Sequence, residues 1–154
     1  MTSCRIDWMD EADGLPLLDR ALAQRAVDAA LATDGLAGGS LTVLLVDDAA
    51  SAELHGQHFD DPTPTDVMTF PDGTEHPDDG LIHHGDLAIG VEVARRVAAA
   101  RGRPVGDELI LYLVHGVLHL LGHDDHHDED RAAMWDLQRQ VLGPLGIDIG
   151  QADD

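Results

Sequence analysis

The stretch His115-Gly-Val-Leu-His119-Leu-Leu-Gly122-His-Asp-Asp125-His-His127 is the part of this chain around which the rest of the fold is expected to be organised. His115 and His119 stand four residues apart in an apolar run, so both imidazoles project from one face of a predicted helix. Gly122 is the residue type that most often ends a helix in the left-handed conformation. The ligand-type side chains that follow it are His123, Asp124, Asp125, His126 and His127. A metal site with one open coordination position typically has three protein ligands. Two histidines on a helix, followed by a sharp turn and a third ligand, fit this arrangement.

This motif lacks the catalytic base of a zinc peptidase. In such enzymes a glutamate directly follows the first histidine of the helix and activates water. Gly116 occupies that position here. The sequence therefore predicts a metal site without the peptidase signature, and it disfavours proteolysis.

Length and composition indicate a single soluble domain. The 154 residues are enough for one hydrophobic core, and we expect one domain over residues 1–154. Cys4 is the only cysteine, which excludes an internal disulfide framework and a cysteine-based zinc site and suits a reducing compartment. No run approaches the roughly 20 apolar residues of a membrane span, and the first residues lack the features of a signal peptide. We therefore expect a cytoplasmic protein with no membrane partner.

The charge balance is strongly acidic, with 30 Asp and Glu against 9 basic residues and a formal net charge of -21. All of the basic residues are arginine. Because nonspecific attachment to nucleic acid or anionic membrane is driven by Lys and Arg, this balance argues against it, and we expect no DNA partner. Local clusters of cations then matter more than the total charge. One such cluster comprises Arg95, Arg96, Arg101 and Arg103.

The apolar periodicity predicts an α+β domain. Four strands are expected at residues 3–8, 40–46, 66–70 and 84–90. Five helices are expected at residues 15–32, 49–55, 91–101, 105–121 and 129–142. Asp47 or Asp48 is expected to cap the second helix, and the prolines of residues 59–65 favour a loop. Pro71-Asp-Gly is expected to end the third strand before an acidic loop over residues 72–80. We therefore predict a small mixed four-stranded sheet with about five helices packed on it and the metal site on a central helix.

Three stretches of the chain resemble the YbeY family, bacterial ribosomal-RNA maturation factors described as metal-dependent endoribonucleases. The helix motif His115-Gly-Val-Leu-His119-Leu-Leu-Gly122-His-Asp resembles the family signature. Pro64-Thr-Asp-Val-Met-Thr-Phe-Pro71 resembles the PTDVLSFP strand, and Gly85-Asp-Leu-Ala-Ile89 is similar to the GDI-type strand. Met134 also falls where the family has a methionine. The similarity extends over residues 41–142, which is most of the chain.

The resemblance implies an α+β fold, one Zn²⁺ per chain held by three histidines, and cleavage of single-stranded RNA. The implied process is 16S rRNA 3′-end maturation and ribosome quality control, with 16S rRNA and the small ribosomal subunit as partners. A basic ribosomal protein would also suit the acidic surface. Under this interpretation His115 and His119 act in catalysis through the metal-bound water. The alternative is a non-catalytic ribosome-assembly factor whose metal is structural.

The chain departs from the family at the third metal ligand. Counted without gaps, the third histidine of the family falls on Asp125, and His126 follows one residue later. We expect Asp125 to be the third ligand, with His126 as the alternative. A carboxylate oxygen binds zinc at distances close to those of an imidazole nitrogen, and it makes a site more tolerant of Mn²⁺ or Fe²⁺. His123, where the family usually has tyrosine, is expected to lie beside the site or in solvent.

A second departure concerns phosphate chemistry. The family carries a Tyr-Arg pair before the PTDV stretch, and ungapped counting places His58 and Phe59 there. A cation that would stabilise charge on a phosphoryl group is therefore missing from this position, which weakens the case for nuclease activity. The candidates to replace it are Arg95 or Arg96 in space, while His58 is a candidate for proton transfer. Among residues of the shared strand motifs, Asp66 and Asp86 are expected either to orient a ligand histidine or to make ordinary strand-end hydrogen bonds, and Thr65 to act as a cap or turn residue.

Overall fold

The computed structural model describes residues 2–150 and contains one mixed sheet of four strands. The strands are β1 (Arg5–Asp10), β2 (Ser40–Val46), β3 (Val67–Glu75) and β4 (Ile82–Gly90). Their order across the sheet is β1-β2-β4-β3. The β1–β2 and β2–β4 pairs are parallel and the β3–β4 pair is antiparallel. The predicted mixed four-stranded sheet of an α+β domain is confirmed.

Five α-helices accompany the sheet. They are α1 (Arg20–Ala32), α2 (Asp48–Phe59), α3 (Val91–Arg101), α4 (Val105–Leu120) and α5 (Asp128–Leu142). Helix α4 contacts α1, α3, α5 and both strands of the β3–β4 pair, so it is the central helix of the fold. Within residues 2–150, no helix combines the length and apolarity that crossing a membrane requires.

The core lies between α4 and one face of the sheet. Alternate side chains of a strand point to opposite faces, and Leu41, Val43 and Leu45 of β2 all point to the buried face. Leu87 and Ile89 of β4 continue this surface. Helix α4 is apolar nearly all round, as expected for a helix with neighbours on several sides. The two histidines near its end are therefore held on a rigid element.

Helix α4 ends in a Schellman turn at Gly122. The φ angle of Gly122 is +96°, and the backbone N–H of His123 donates to the carbonyl of Leu118 at 3.0 Å. The N–H of Gly122 donates to the carbonyl of His119, also at 3.0 Å. These are the two bonds of that motif, and the predicted glycine end of the helix is confirmed. The chain changes direction at Gly122 and brings the following residues back towards the histidines.

The prediction that the third strand ends at Pro71 is wrong. Strand β3 continues to Glu75, with Pro71 opposite Gly85 and Thr74 opposite His83. The register shifts between Pro71 and Thr74, and β3 is the edge strand of the sheet, where a proline is tolerated because its missing N–H faces no partner. The loop is therefore limited to the six residues between β3 and β4, which form a hairpin.

Five helix boundaries also differ from the predictions, and those at the start of α2 and of α5 differ by a single residue. Residues 15–17 form a 3₁₀ turn, and α1 begins only after Asp19, whose carboxylate accepts from the backbone N–H of Leu22. Of the two residues predicted to cap α2, Asp47 is the cap, and its carboxylate accepts from the N–H of Ala50 at 2.8 Å. Helix α2 then continues to Phe59, so residues 56–59 are helical. Helix α4 ends at Leu120, one residue before the predicted end.

Candidate metal centre

His115, His119 and Asp125 come together at the end of α4. The Nε2 atoms of the two histidines are 3.0 Å apart. Oδ2 of Asp125 lies 3.5 Å from Nε2 of His115 and 3.4 Å from Nε2 of His119. All three side chains are partly exposed. The helical spacing supplies the two histidines, and the Schellman turn returns the aspartate to them.

These separations fit a single ion. Ligand atoms at usual zinc bond lengths in a tetrahedral site are about 3.3 Å apart. The three measured separations bracket that value. Two imidazole nitrogens and one carboxylate oxygen are also a donor set that zinc and the harder divalent metals accept. The cluster can therefore hold a metal ion without rearrangement.

A buried glutamine orients His115. Nδ1 of His115 donates to Oε1 of Gln138 at 2.6 Å, and Gln138 is only 1% exposed. Because an amide oxygen only accepts, the proton lies on Nδ1 and the lone pair of Nε2 faces the cluster. Sequence reasoning missed Gln138, since it lies 23 residues away on α5 and no local pattern marks it.

The pKa of His119 is lowered by its surroundings. Burial is the main cause that lowers the pKa of His119, and the neighbouring His115 lowers it further. Asp125 acts in the opposite direction but is outweighed. Since the ordinary pKa of histidine is already near 6.5, the ring is neutral at pH 7 and offers a lone pair.

The two candidates for the third ligand occupy different places. Asp125 faces both helical histidines, whereas the side chain of His126 is 82% exposed and its Nε2 lies 3.4 Å from Asp124. Asp124, Asp125 and His126 form a second, more exposed group with ligand atoms close to one another, but this group does not include a helix histidine. The geometry thus favours Asp125 as the third ligand.

His123 and His58 lie outside the cluster. Nε2 of His123 lies 3.2 Å from Asp34 at the end of α1, so this side chain is partnered beside the site. The ring of His58 packs against Phe70 with centroids 5.1 Å apart. Phe59, which is 49% exposed, also contacts the ring of Phe70. The structure does not bring His58 or Phe59 to the cleft that His115 and Asp125 line.

Asp66 and Asp86 both make local hydrogen bonds. Oδ1 of Asp66 accepts from the backbone N–H of Val67 at 2.7 Å, at the start of β3, and from the hydroxyl of Thr65. Oδ1 of Asp86 lies 2.8 Å from Nε2 of His83. Among the described contacts neither carboxylate binds a ligand histidine. Asp66 makes the expected strand-end hydrogen bond, whereas Asp86 lies in the middle of β4 and contacts a side chain of the same strand.

A cleft of about 1030 Å³ adjoins the three-residue cluster. Its walls come from α3, α4, α5 and the turn before β3, and His115 and Asp125 lie on them. The cationic residues that line it are Arg101 and Arg131. Arg96 instead forms a two-contact ion pair with Asp48, and neither Arg95 nor Arg96 lines the cleft. Neither of the two candidates to replace the missing cation therefore lines this cleft.

Gly116, which occupies the position of the peptidase glutamate, lies where helix α4 packs closely against the sheet. A Cβ atom at this position would lie 2.8 Å and 2.9 Å from the two terminal methyl groups of Leu87. It would also lie 3.2 Å from Val67. Helix α4 approaches the sheet so closely here that any side chain at this position would require Leu87 to shift.

Replacement of Gln138 by leucine is expected to weaken metal binding by about 10- to 100-fold, because an outer partner that orients a ligand histidine has this effect. Gln138→Glu keeps an oxygen acceptor for His115 and should weaken binding much less. Competition with a chromogenic zinc chelator measures both affinities. Equal affinities for the leucine variant and the wild type would show that Gln138 does not orient His115.

Comparison with known proteins finds a matching family and named relatives. The sequence model of the family described as Endoribonuclease YbeY matches residues 15–146. A relative from Ruegeria pomeroyi, named Endoribonuclease YbeY, is 38% identical over 82% of this chain and 86% of its own length. A relative of the same name from Rhodopseudomonas palustris is 37% identical over 95% of this chain and 87% of its own length.

A solved structure shares the fold. The solution structure of a protein from Thermotoga maritima superposes with a TM-score of 0.65 and 24% sequence identity. The match covers 91% of this chain and 88% of that protein. This likeness concerns the fold alone. The family match over residues 15–146 and the two named relatives show that the chain belongs to the YbeY endoribonuclease family.

Proposed function

We propose that this protein is a metal-dependent endoribonuclease that cleaves single-stranded RNA in 16S rRNA 3′-end maturation and ribosome quality control. The observation that carries the proposal is the group of three ligand atoms, 3.0 to 3.5 Å apart, at the side of a large open cleft. The relatives named endoribonuclease support the reaction class. Its partners would be 16S rRNA and the small ribosomal subunit in the cytoplasm.

His115, His119 and Asp125 would hold one Zn²⁺, and the carboxylate would also accept Mn²⁺ or Fe²⁺. In a site of this kind the bound ion supplies an activated water and polarises a phosphoryl oxygen. Gln138 keeps the lone pair of His115 directed at the cluster, and the low pKa of His119 keeps that ring unprotonated. The cleft gives an RNA strand access to these groups.

The number of protein ligands supports a catalytic role over a structural one. Among residues 2–150, no fourth His, Cys, Asp or Glu joins the group formed by His115, His119 and Asp125. Structural zinc sites are almost always closed by four protein ligands, whereas catalytic sites have three and leave a position for water.

The second candidate is a non-catalytic ribosome-assembly factor. Phe59, in the place of the family arginine, favours it, and so does the net charge of -21. An acidic surface suits a basic ribosomal protein better than it suits naked RNA. This candidate predicts binding to small ribosomal subunits without RNA cleavage.

Replacement of Asp125 by alanine is expected to remove both stoichiometric metal and cleavage of a single-stranded RNA. His126→Ala should retain both, since its imidazole points to solvent. Metal analysis and a cleavage assay on the same preparations measure this difference. Loss in the His126 variant and retention in the Asp125 variant would make His126 the third ligand. Metal in the wild type without any cleavage would favour the assembly factor.

A further inference from the structure

Arg131 and Trp135 lie side by side on the cleft wall formed by α5. They are four residues apart, so they share one face of the helix. Both line the cleft that His115 and Asp125 also line. A guanidinium and an indole at this spacing are the two groups that bind a phosphate and a base of a single strand.

The guanidinium of Arg131 is available to an anion. Its partner is Asp128, three residues earlier on the same helix. The side chains of Arg131 and Asp128 are 59% and 91% exposed, and an ion pair exposed to this degree contributes little to stability. A phosphate can therefore replace Asp128 at small cost, and the planar guanidinium can bind it through two hydrogen bonds.

The indole of Trp135 is held in place. Its Nε1 donates to the carbonyl of Gly150 at 3.0 Å, and the ring packs against the hydrophobic core while remaining partly exposed. An aromatic ring that is already ordered loses little freedom when a base stacks on it. The orientation of Trp135 thus does not depend on the arrival of a ligand.

The acidic residues of the cleft are largely engaged by neighbours. Glu108 is 1% exposed and lies 3.3 Å from a guanidinium nitrogen of Arg103. Asp66 accepts from the backbone at the start of β3. Arg101 on the α3 wall and Arg131 face four acidic residues in the cleft, a smaller acidic excess than the 30 to 9 of the whole chain. The cleft is therefore less repulsive to phosphate than the net charge suggests.

We propose that Arg131 and Trp135 form a nucleotide subsite beside the metal cluster, in which Arg131 binds a phosphate of single-stranded RNA and Trp135 stacks on a neighbouring base. This inference rests on the proposed function, since it places the RNA strand in the same cleft. In this subsite Arg131 of α5 provides a cation for the RNA phosphates. Phe59, which stands in the place of the family arginine, cannot provide one.

The test measures binding of a short phosphorothioate oligoribonucleotide to the metal-loaded protein at several salt concentrations. Arg131→Gln is expected to weaken binding about tenfold and to reduce the slope of log affinity against log salt by about 0.7, the value for one phosphate contact on a single strand. Arg139→Gln is the matched control, because Arg139 lies two turns later on α5 and lines a different pocket. It should bind like the wild type.

Stacking of a base on Trp135 can be measured separately, by tryptophan fluorescence. The chain has two tryptophans, so Trp8→Phe leaves Trp135 as the only one. In that variant the oligoribonucleotide should quench the tryptophan fluorescence. Trp135→Leu keeps an apolar side chain against the core and should weaken binding by about 5- to 150-fold. An unchanged circular dichroism spectrum at the assay temperature checks that this variant is folded.

The outcomes separate this inference from the function on which it rests. If the wild type cleaves RNA while Arg131→Gln and Trp135→Leu bind it normally, or if the fluorescence of Trp135 does not change, the subsite is wrong and the nuclease proposal stands. If the wild type neither binds nor cleaves single-stranded RNA, the proposed function fails and the subsite fails with it.

Discussion

His119→Ala is expected to abolish stoichiometric metal binding and RNA cleavage together. Nε2 of His119 lies within 3.4 Å of both other candidate ligands, so its loss leaves two ligands for the ion. Removal of a group that merely orients a ligand weakens metal binding by about 10- to 100-fold, and we expect removal of a ligand to exceed that range. The histidine is partly exposed at the end of α4, so the fold should persist. Metal content and cleavage, measured on one preparation with its melting temperature, check this result.

The matched control for this variant is His123→Ala. His123 lies one turn further along the chain and contacts Asp34 rather than the cluster. Its loss removes a partly exposed contact with a carboxylate, worth at most about 1 kcal/mol, and metal binding should not change. One metal ion per chain retained in His119→Ala would remove this histidine from the site. Equal loss of metal in both variants would mean that the whole turn, rather than His119, is required.

Gly85→Ala is expected to destabilise the fold by about 2–4 kcal/mol, from the combined effects of overpacking and backbone strain. The φ angle of Gly85 is +149°, which side chains rarely adopt. An added Cβ would lie 2.6 Å from the carbonyl oxygen of Phe70 and 2.8 Å from a methyl group of Leu120. The carbonyl belongs to the backbone of β3 opposite Gly85, so it has little freedom to move. Urea unfolding monitored by circular dichroism measures the change.

The same substitution in α2 should have the opposite sign. Gly56 lies within the helix, and an added Cβ would meet only Pro62 at an ordinary contact distance of 3.5 Å. Gly56→Ala is therefore expected to stabilise the protein by about 0.5–1 kcal/mol, through helix propensity and the lower entropy of the unfolded chain. A similar loss of stability in both variants would show that close packing at Gly85 is not the cause.

The elements predicted correctly from the sequence are those whose signals are local. The apolar run of α4 and the glycine that ends it lie within one short stretch, and both appear as expected. The end of β3 was mispredicted because Pro71-Asp-Gly resembles a turn by itself. Only pairing with β4 and the edge position of β3 explain why the strand continues.

In the candidate site, too, the residues that come from one segment of the chain could be predicted, and those from a separate helix could not. The spacing of His115 and His119 and the register of Asp125 come from one segment, and the structure brings these three residues together as expected. Gln138 and Arg131 come from a separate helix, so only tertiary packing brings them to α4. The metal-ligand role of the three residues, like the roles of these two, stays a prediction.

The most direct test of the central claim is a titration of zinc into metal-free protein while cleavage of a single-stranded RNA is recorded. We predict that cleavage is absent without metal, rises with each addition and saturates at one ion per chain. A plateau in metal binding at one ion with no cleavage, or cleavage that is unaffected by removal of the metal, would contradict a catalytic metal held by His115, His119 and Asp125.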